Sequence, residues 1–573
     1  MIQLAKTFSK AWWLTAGVDV LNGDGGNNVF TGDNTQTNGS VGAGDQLNGG
    51  AGTDTFNYYS NGGVLPVPQL NSVEKVNLIG ANAVTANFSS AVGLQQVTLK
   101  DTTVTGSSIT LGAGVAAGLD NAKIDGSATF IGPAAQTAAT LNVANGTNVT
   151  GVVDLQGAAL TTLNVVSAAG AANTIGSLQS TTGTETTLNV SGAGDLTINA
   201  VDASLTTINA SAATGKTSID ASLTTGNVAY TGGTGNDTIK FGATQLTAAD
   251  VLDGGAGIDT LSILDTTAPY AVINAAKNFE VLGLGAAVTV DASQLTSLKA
   301  FSLDADAAQT ISNMATGSTV AVTADHATDI TLGGNTGVQD LGLTIGAAGK
   351  AGVTAGTITV AQNTIALSSL GDGVTTNTIA TLANVENSVI TVTGNTNLTI
   401  TNALAGTAIG SKVDASALTG KLNVVGSAFN DILIGGSNDD TLGGGAGVNT
   451  LTGGAGKDTF VITGSVYGDL ATAKNVTTIT DFVKGTDKLA YNLAGSVTTL
   501  TKVAVTEATL DLALATIAAQ ATGVTVAAWG VFQGNTYVVA GDALANLSAG
   551  DAVIKLAGTV DLGTTASDVF VAA

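Results

Sequence analysis

The chain has 573 residues and sets 42 acidic side chains against 18 basic ones, a formal net charge of −24, although only 10% of its residues are charged. Every base is Lys, 37 of the acids are Asp, Cys is absent and His occurs once. This excludes a basic nucleic-acid-binding stripe, a disulfide framework, a Cys nucleophile and His-centred zinc or Ser-His-Asp chemistry. A hydrophobic content of 44% argues against disorder. With 4% aromatics and 76 Gly, the core must be thin and built from Ala, Val, Leu and Ile.

At the N-terminus, Lys6 and Lys10 precede the apolar run Ala11-Trp12-Trp13-Leu14. That run is too short for a secretory h-region and no small-residue cleavage site follows, so an export signal is expected elsewhere. No stretch of about 20 apolar residues offers a transmembrane helix. Residues 1–19 are read as an N-terminal segment and candidate anchor.

The next element is the pattern Gly-Gly-x-Gly-x-Asp-x-U-x, with U large and apolar. A degenerate copy lies at Gly23–Thr31, and a full one has Gly49, Gly50, Gly52 and Asp54. A second copy has Gly232, Gly233, Gly235 and Asp237, and a third Gly254, Gly255, Gly257 and Asp259. A tandem run follows. Its nonapeptides begin at Gly426, Gly435, Gly444 and Gly453, and carry Asn430 and Asp431; Gly436, Asn438 and Asp440; Gly445, Gly447 and Asn449; and Gly454, Gly456 and Asp458.

Glycines permit positive φ and close backbone approach, so carbonyls converge in one turn. The Asp adds a carboxylate, and an all-oxygen donor set suits Ca²⁺. The x-U-x that follows is a short strand with U pointing inward. Stacked turns of this kind form a parallel β-roll binding several Ca²⁺ ions. Two nonapeptides make one turn, so the loop of Asp431 is expected on that of Asn449, and the loop of Asp440 on that of Asp458. Asn449 stands where an Asp is expected, which predicts a weaker site.

A longer duplication overlies these turns. Asp54 is followed 20 residues later by Glu74 in Val73-Glu74-Lys75-Val76, and Asp259 is followed 21 residues later by Glu280 in Phe279-Glu280-Val281-Leu282. Between the turns, strand-like fragments recur at 141–143, 161–165, 186–190, 206–210 and 218–222, with Asn and Thr placed to form ladders. The predicted fold is all-β, a parallel β-solenoid or calcium-binding β-roll with few helices, and a two-sheet sandwich is the competing reading. The expected organisation is a first β-repeat unit at 20–225, a second at 226–425, the tandem roll at 426–461 and a C-terminal cap at 462–573. Glu507–Gln520 is the best helix candidate.

No catalytic constellation stands out. His326, between Asp325 and Asp329, reads as a solvated turn residue, and HExxH, Gly-x-Ser-x-Gly and P-loop patterns are missing. The expectation is a protein that is not an enzyme. A calcium-dependent solenoid enzyme is the weakest reading, since such enzymes rely on Arg or Lys beside calcium and the chain has no Arg. Trp12, Trp13 and the exposed-looking Tyr58-Tyr59 read as candidates for contacts between copies, with core burial an equal alternative.

The nonapeptides, the segment Ile479-Thr480-Asp481-Phe482-Val483-Lys484-Gly485-Thr486-Asp487-Lys488-Leu489, the strand Phe532–Val539 and the tail Asp568–Ala573 resemble the repeats-in-toxin (RTX) superfamily of Gram-negative bacteria. The region 14–80 is similar to its surface-layer proteins and large adhesins. The resemblance implies one-step export by the type I secretion machinery through an uncleaved C-terminal signal, then calcium-driven folding outside the cell. It implies a surface-layer lattice subunit whose partner is a second copy of itself, with outer-membrane lipopolysaccharide as the surface the N-terminal region would grip. A secreted adhesin or biofilm-matrix fibre is the alternative. No nucleic-acid partner is expected.

Overall fold

A computed structural model describes residues 11–80, 82–103, 106–334, 340–385, 387–406, 409–462, 476–491, 497–541, 547 and 551–572. Lys6, Lys10 and the rest of residues 1–10 lie outside it, as does Ala573. The described chain is an all-β parallel β-solenoid of about 21 turns with two helices. It divides into two compact units. One runs through Asp265 and takes in Pro269–Leu282; the other comprises Thr266–Ala268 and Gly283 onward.

In the first unit, a twelve-stranded parallel ladder begins at Ala11–Trp13 and ends at Val251–Asp253. A second parallel ladder runs through Thr238–Phe241 and Thr260–Ile263, and a short third joins Val20–Asn22, Gln46–Asn48 and Gln69–Asn71. The strands alternate, so each sends every second side chain inward. One inward register column reads Phe30, Phe56, Val76, Val97, Ala117, Leu141, Val165 and Val190. All eight are buried. The core is thus one side chain deep per rung, which explains how a chain so poor in aromatics fills it.

The five predicted strand fragments fall on Ala138–Ala144, Thr162–Ser167, Thr187–Gly192, Thr207–Ala213 and Thr217–Asp220. Polar residues on the outer face form the expected ladders. Asn164, Asn189 and Asn209 share a register, with Asn189 donating to Asn164 at 2.9 Å, and Asn77 donates to Asn57 at 2.8 Å. Continuous parallel pairing from turn to turn overturns the sandwich alternative.

The second unit contains an eleven-stranded parallel ladder from Thr289–Asp291 to Phe570–Ala572. Its C-terminal part closes differently. Val526–Phe532 and Asn535–Ala540 form an antiparallel hairpin turning at Gln533-Gly534, whose φ values are 46° and 77°. The expected helix is present at Leu510–Ala518. Leu514 and Ile517 on it pack with Phe532, Tyr537 and Val553. Ala552–Leu556 pairs with Thr477–Ile479, tying this cap to the roll. The tail is itself a strand: Phe570 pairs with Leu489, is buried, and sets its ring 5.6 Å from that of Tyr491 in a tilted contact.

For Tyr58 the burial alternative holds, and for His326 the expectation fails. Tyr58 is buried, because it lies on the inward side of Thr55–Ser60; its hydroxyl donates to the Pro66 carbonyl and accepts from Asn34, while Tyr59 and Trp13 are exposed. His326 is not solvated. Alternation at its corner turns the ring inward, with both nitrogens unpaired, while Asp325 and Asp329 face out. Burial holds the imidazole below its usual 6.5, against the raising charges of Asp306 and Asp304.

Candidate calcium-binding turns

The nonapeptides lie at the corners between strands, where the chain must reverse within a few residues. In the tandem block, the strands Ile432–Ile434, Thr441–Gly443, Thr450–Thr452 and Thr459–Ile462 each follow one Gly-rich turn. Sixth-position residues are buried although charged: Asp54, Asp237, Asp259, Asp431, Asp440 and Asp458 all fall within the core, as does Asn449.

These residues stack in columns joined by one repeated bond. The Asp431 amide N–H donates to Asn449 Oδ1 at 2.8 Å, and the Asp440 N–H to Asp458 Oδ1 at 2.9 Å, each across 18 residues. Upstream, the Ser411 and Leu422 N–H groups donate to Asp431 and Asp440. The first unit repeats the bond with longer turns. Asn28 N–H donates to Asp54 Oδ1 at 2.5 Å across 26 residues, Thr217 N–H to Asp237 at 2.6 Å and Asp237 N–H to Asp259 at 2.6 Å. The fifth position stitches neighbouring turns as well: Asn236 Oδ1 accepts from Ile258 N–H and Asn430 Oδ1 from Val448 N–H. Asn438 donates its amide to the Thr419 carbonyl.

The turns come in two forms. In the first, the second carboxylate oxygen is consumed within its own turn: Asp237 Oδ2 accepts from Gly233 N–H at 2.6 Å, Asp440 Oδ2 from Gly436 N–H at 2.5 Å, and Asp431 Oδ2 from Ser427 N–H at 2.7 Å. In the second form, glycines two and four sit in the left-handed region. Gly50 and Gly52 have φ of 95° and 118°, Gly255 and Gly257 98° and 135°, Gly445 and Gly447 72° and 84°, and Gly454 and Gly456 96° and 130°. Here the amide groups point elsewhere, and Asp54 Oδ2 and Asp259 Oδ2 are buried with no hydrogen-bond partner.

Each turn of the first form is followed by another nonapeptide. Each of the second form is followed by a turn of different sequence that still supplies an acceptor. Asp54 N–H donates to Glu74 Oε2 at 2.7 Å, Asp259 N–H to Glu280 Oε2 at 2.8 Å, Asp458 N–H to Asp487 Oδ1 at 3.1 Å and Asn449 N–H to Thr477 Oγ1 at 3.2 Å. Asp481 also accepts from the Gly453 and Gly454 N–H groups at 2.9 and 2.8 Å. Sequence reasoning did not assign Glu74, Glu280, Asp481 or Asp487 to these turns. The repeated gaps of 20 and 21 residues between Asp and Glu were the available signal.

The first glycine of each turn is a packing requirement. A Cβ on Gly426 would lie 2.6 Å from the Gly444 carbonyl oxygen and 2.7 Å from Asp431 Oδ2. The same crowding by the next turn's carbonyl holds for Gly49, Gly232, Gly254 and Gly435; at Gly444 and Gly453 the crowding side chains are Asn449 and Asp458 of the same turn.

The electrostatics are unbalanced. Burial first, and then the charges of Asp237, Glu280 and Asp253, push the Asp259 carboxyl up to about 6. Burial with Asp440, Asp487 and Asp481 does the same to Asp458, and burial raises Asp431 and Asp440. Among the described residues no three His, Cys, Asp or Glu side chains converge on a point where they can hold a metal ion. A cation here must be held by backbone carbonyls together with one or two carboxylates, an all-oxygen set suited to Ca²⁺. Buried, unpartnered carboxylate oxygens beside close-packed carbonyls fit that ion.

A family model described as an RTX calcium-binding nonapeptide repeat (4 copies) matches residues 13–34, 247–262 and 425–460. The chain carries RTX repeats. RTX nonapeptide repeats bind calcium. The matched segments contain the Gly254 turn and the tandem block, and the Gly49 and Gly232 turns outside them share the same column bond. The six RTX turns with a sixth-position Asp, and the Asn449 turn, fall at three places along the chain: 49–57, 232–262 and 426–461. No curated protein matches the chain.

Proposed function

We propose that this RTX-repeat protein is a calcium-dependent, self-assembling extracellular structural protein, a subunit of a surface-layer lattice exported by type I secretion. The observation that carries the reading is the stack of buried carboxylates, Asp54, Asp237, Asp259, Asp431, Asp440 and Asp458, none of which forms an ion pair among the described residues. A site absent from the unfolded chain turns metal affinity into folding free energy. Extracellular calcium modules work at about 10⁻⁴–10⁻³ M. The chain would therefore stay unfolded in low cytosolic calcium and fold on release. The end of the tail, Phe570–Ala572, is a paired strand in the folded protein, so an export signal there is read before folding. The long repeat body and the exposed Trp13 on the terminal strand Ala11–Trp13 suit contacts between copies.

Electron microscopy of purified protein in millimolar calcium should show two-dimensional sheets that dissolve in chelator. Protein that stays monomeric there refutes the lattice, and fibres in place of sheets favour the matrix alternative. Deleting Asp568–Ala573 should abolish export, and normal secretion of the truncated chain refutes the assigned signal.

A further inference from the structure

The two turns that end in an unpartnered carboxylate oxygen, those of Asp54 and Asp259, are built alike on their far side. Ser72 and Asn278 carry positive φ, 49° and 54°, and their carbonyl oxygens crowd Gly49 and Gly254 as the next nonapeptide's carbonyl crowds Gly232 and Gly426. They therefore occupy the place of a first glycine. A nonapeptide needs five further residues to reach its Asp, as from Gly49 to Asp54. Here the Glu comes only two residues on, from Ser72 to Glu74 and from Asn278 to Glu280. The turn is three residues shorter and the side chain one methylene longer. The carboxylate still reaches the N–H of the preceding Asp, at 2.7 and 2.8 Å. The buried Oδ2 of Asp54 and of Asp259 is left without a donor in both copies.

We infer that Glu74 and Glu280 complete two calcium sites, each formed between one RTX turn and a short turn lacking the motif, with Asp54 Oδ2 and the Ser72 carbonyl, or Asp259 Oδ2 and the Asn278 carbonyl, as the other donors. The last nonapeptide of a stack thereby binds calcium on its far side with no further nonapeptide beyond it. Glu74 is half-buried and Glu280 exposed, so one oxygen of each stays open to the ion while the other holds the backbone. The inference rests on calcium occupying the RTX turns.

The test uses the full chain, with calcium retention counted by equilibrium dialysis against CaCl₂ and affinity measured by calorimetric titration. Glu74→Gln keeps the oxygen that accepts the Asp54 N–H and removes only the charge. Glu74→Gln and Glu280→Gln should each cost one ion, seen as at least tenfold weaker binding of that ion, and leave the ions of the 426–461 block in place. Glu74→Asp, too short to span the gap, should lose the same ion. Unchanged counts and affinities in all three variants overturn the inference. Loss of every ion together with the strand signal in circular dichroism also overturns it, since the role would then be global. Wild-type protein that retains no calcium defeats the calcium reading itself, a distinct result.

Discussion

Asn449→Asp reads the tandem roll most directly. Asn449 Oδ1 accepts the Asp431 N–H at 2.8 Å, which forces its Nδ2 to the other side, where it donates to the Ala446 carbonyl at 3.1 Å. That nitrogen crowds Gly444 where Asp458 Oδ2 crowds Gly453 in the next column. An N–H donor thus stands where the Asp54, Asp259 and Asp458 turns present a carboxylate oxygen. Replacing it with carboxylate oxygen changes charge and not shape. Without calcium, the variant loses the bond to Ala446, about 1 kcal/mol, and sets a new charge beside Asp431, about another 1 kcal/mol even at the dielectric of water. With calcium, a carboxylate oxygen at ~2.4 Å from a divalent ion gains roughly 3.5 kcal/mol even at the dielectric of water, part of which offsets desolvation. A net gain of about 1.4 kcal/mol is tenfold in affinity. Urea unfolding in chelator should show a less stable second unit, and calcium titration should show one ion bound at least tenfold more tightly. A variant that is no less stable in chelator, or that binds calcium as wild type does, refutes the assignment of the amide nitrogen to the ligand position.

Three further substitutions probe the fold. Gly426→Ala drives its Cβ into the Gly444 carbonyl and Asp431 Oδ2, so it should cost about 2 kcal/mol or more in urea unfolding; wild-type stability would contradict the packing of the columns. Glu185 is buried, its Oε1 accepts the Ser180 N–H at 2.8 Å, and its Oε2 has no donor; burial, reinforced by Asp202, pushes it up from 4.5 to about 7. Its folded state holds the proton more tightly than the unfolded one, so its contribution to stability is full below pH 4.5 and lost as pH rises to about 7. Glu185→Gln should remove that slope and add about 1–3 kcal/mol at pH 8; an unchanged pH profile of thermal unfolding counts against it. His326 shifts the other way: the unfolded chain takes the proton first, so stability falls as pH drops through 6.5. His326→Leu should flatten this fall and stabilise the second unit by about 1 kcal/mol at pH 7, and a less stable variant would show that the ring nitrogens are satisfied.

Much was legible before the structure because it depends on local chemistry. Gly-Gly-x-Gly-x-Asp spacing encodes a turn, alternation encodes inward side chains, and an 18-residue period encodes which turns stack; Asp431 on Asn449 and Asp440 on Asp458 follow from counting. The parallel solenoid and its Asn ladders were readable for the same reason. What the counting missed lies across turns of unequal length. Glu74 and Glu280 sit in turns with no motif, and only the register of the neighbouring strands shows that a short turn with a longer side chain reaches the place of an Asp. The burial of Tyr58 and His326 was equally out of reach. Which side of a wall a residue faces at a corner depends on where the strand begins, and a shift of one residue reverses it. The sequence by itself determined the kind of turn, the hard-cation chemistry and the β-solenoid. Only the tertiary structure decided which carboxylate oxygens are spent on the backbone and which are left free, because that choice is made by bonds between turns 18 to 26 residues apart.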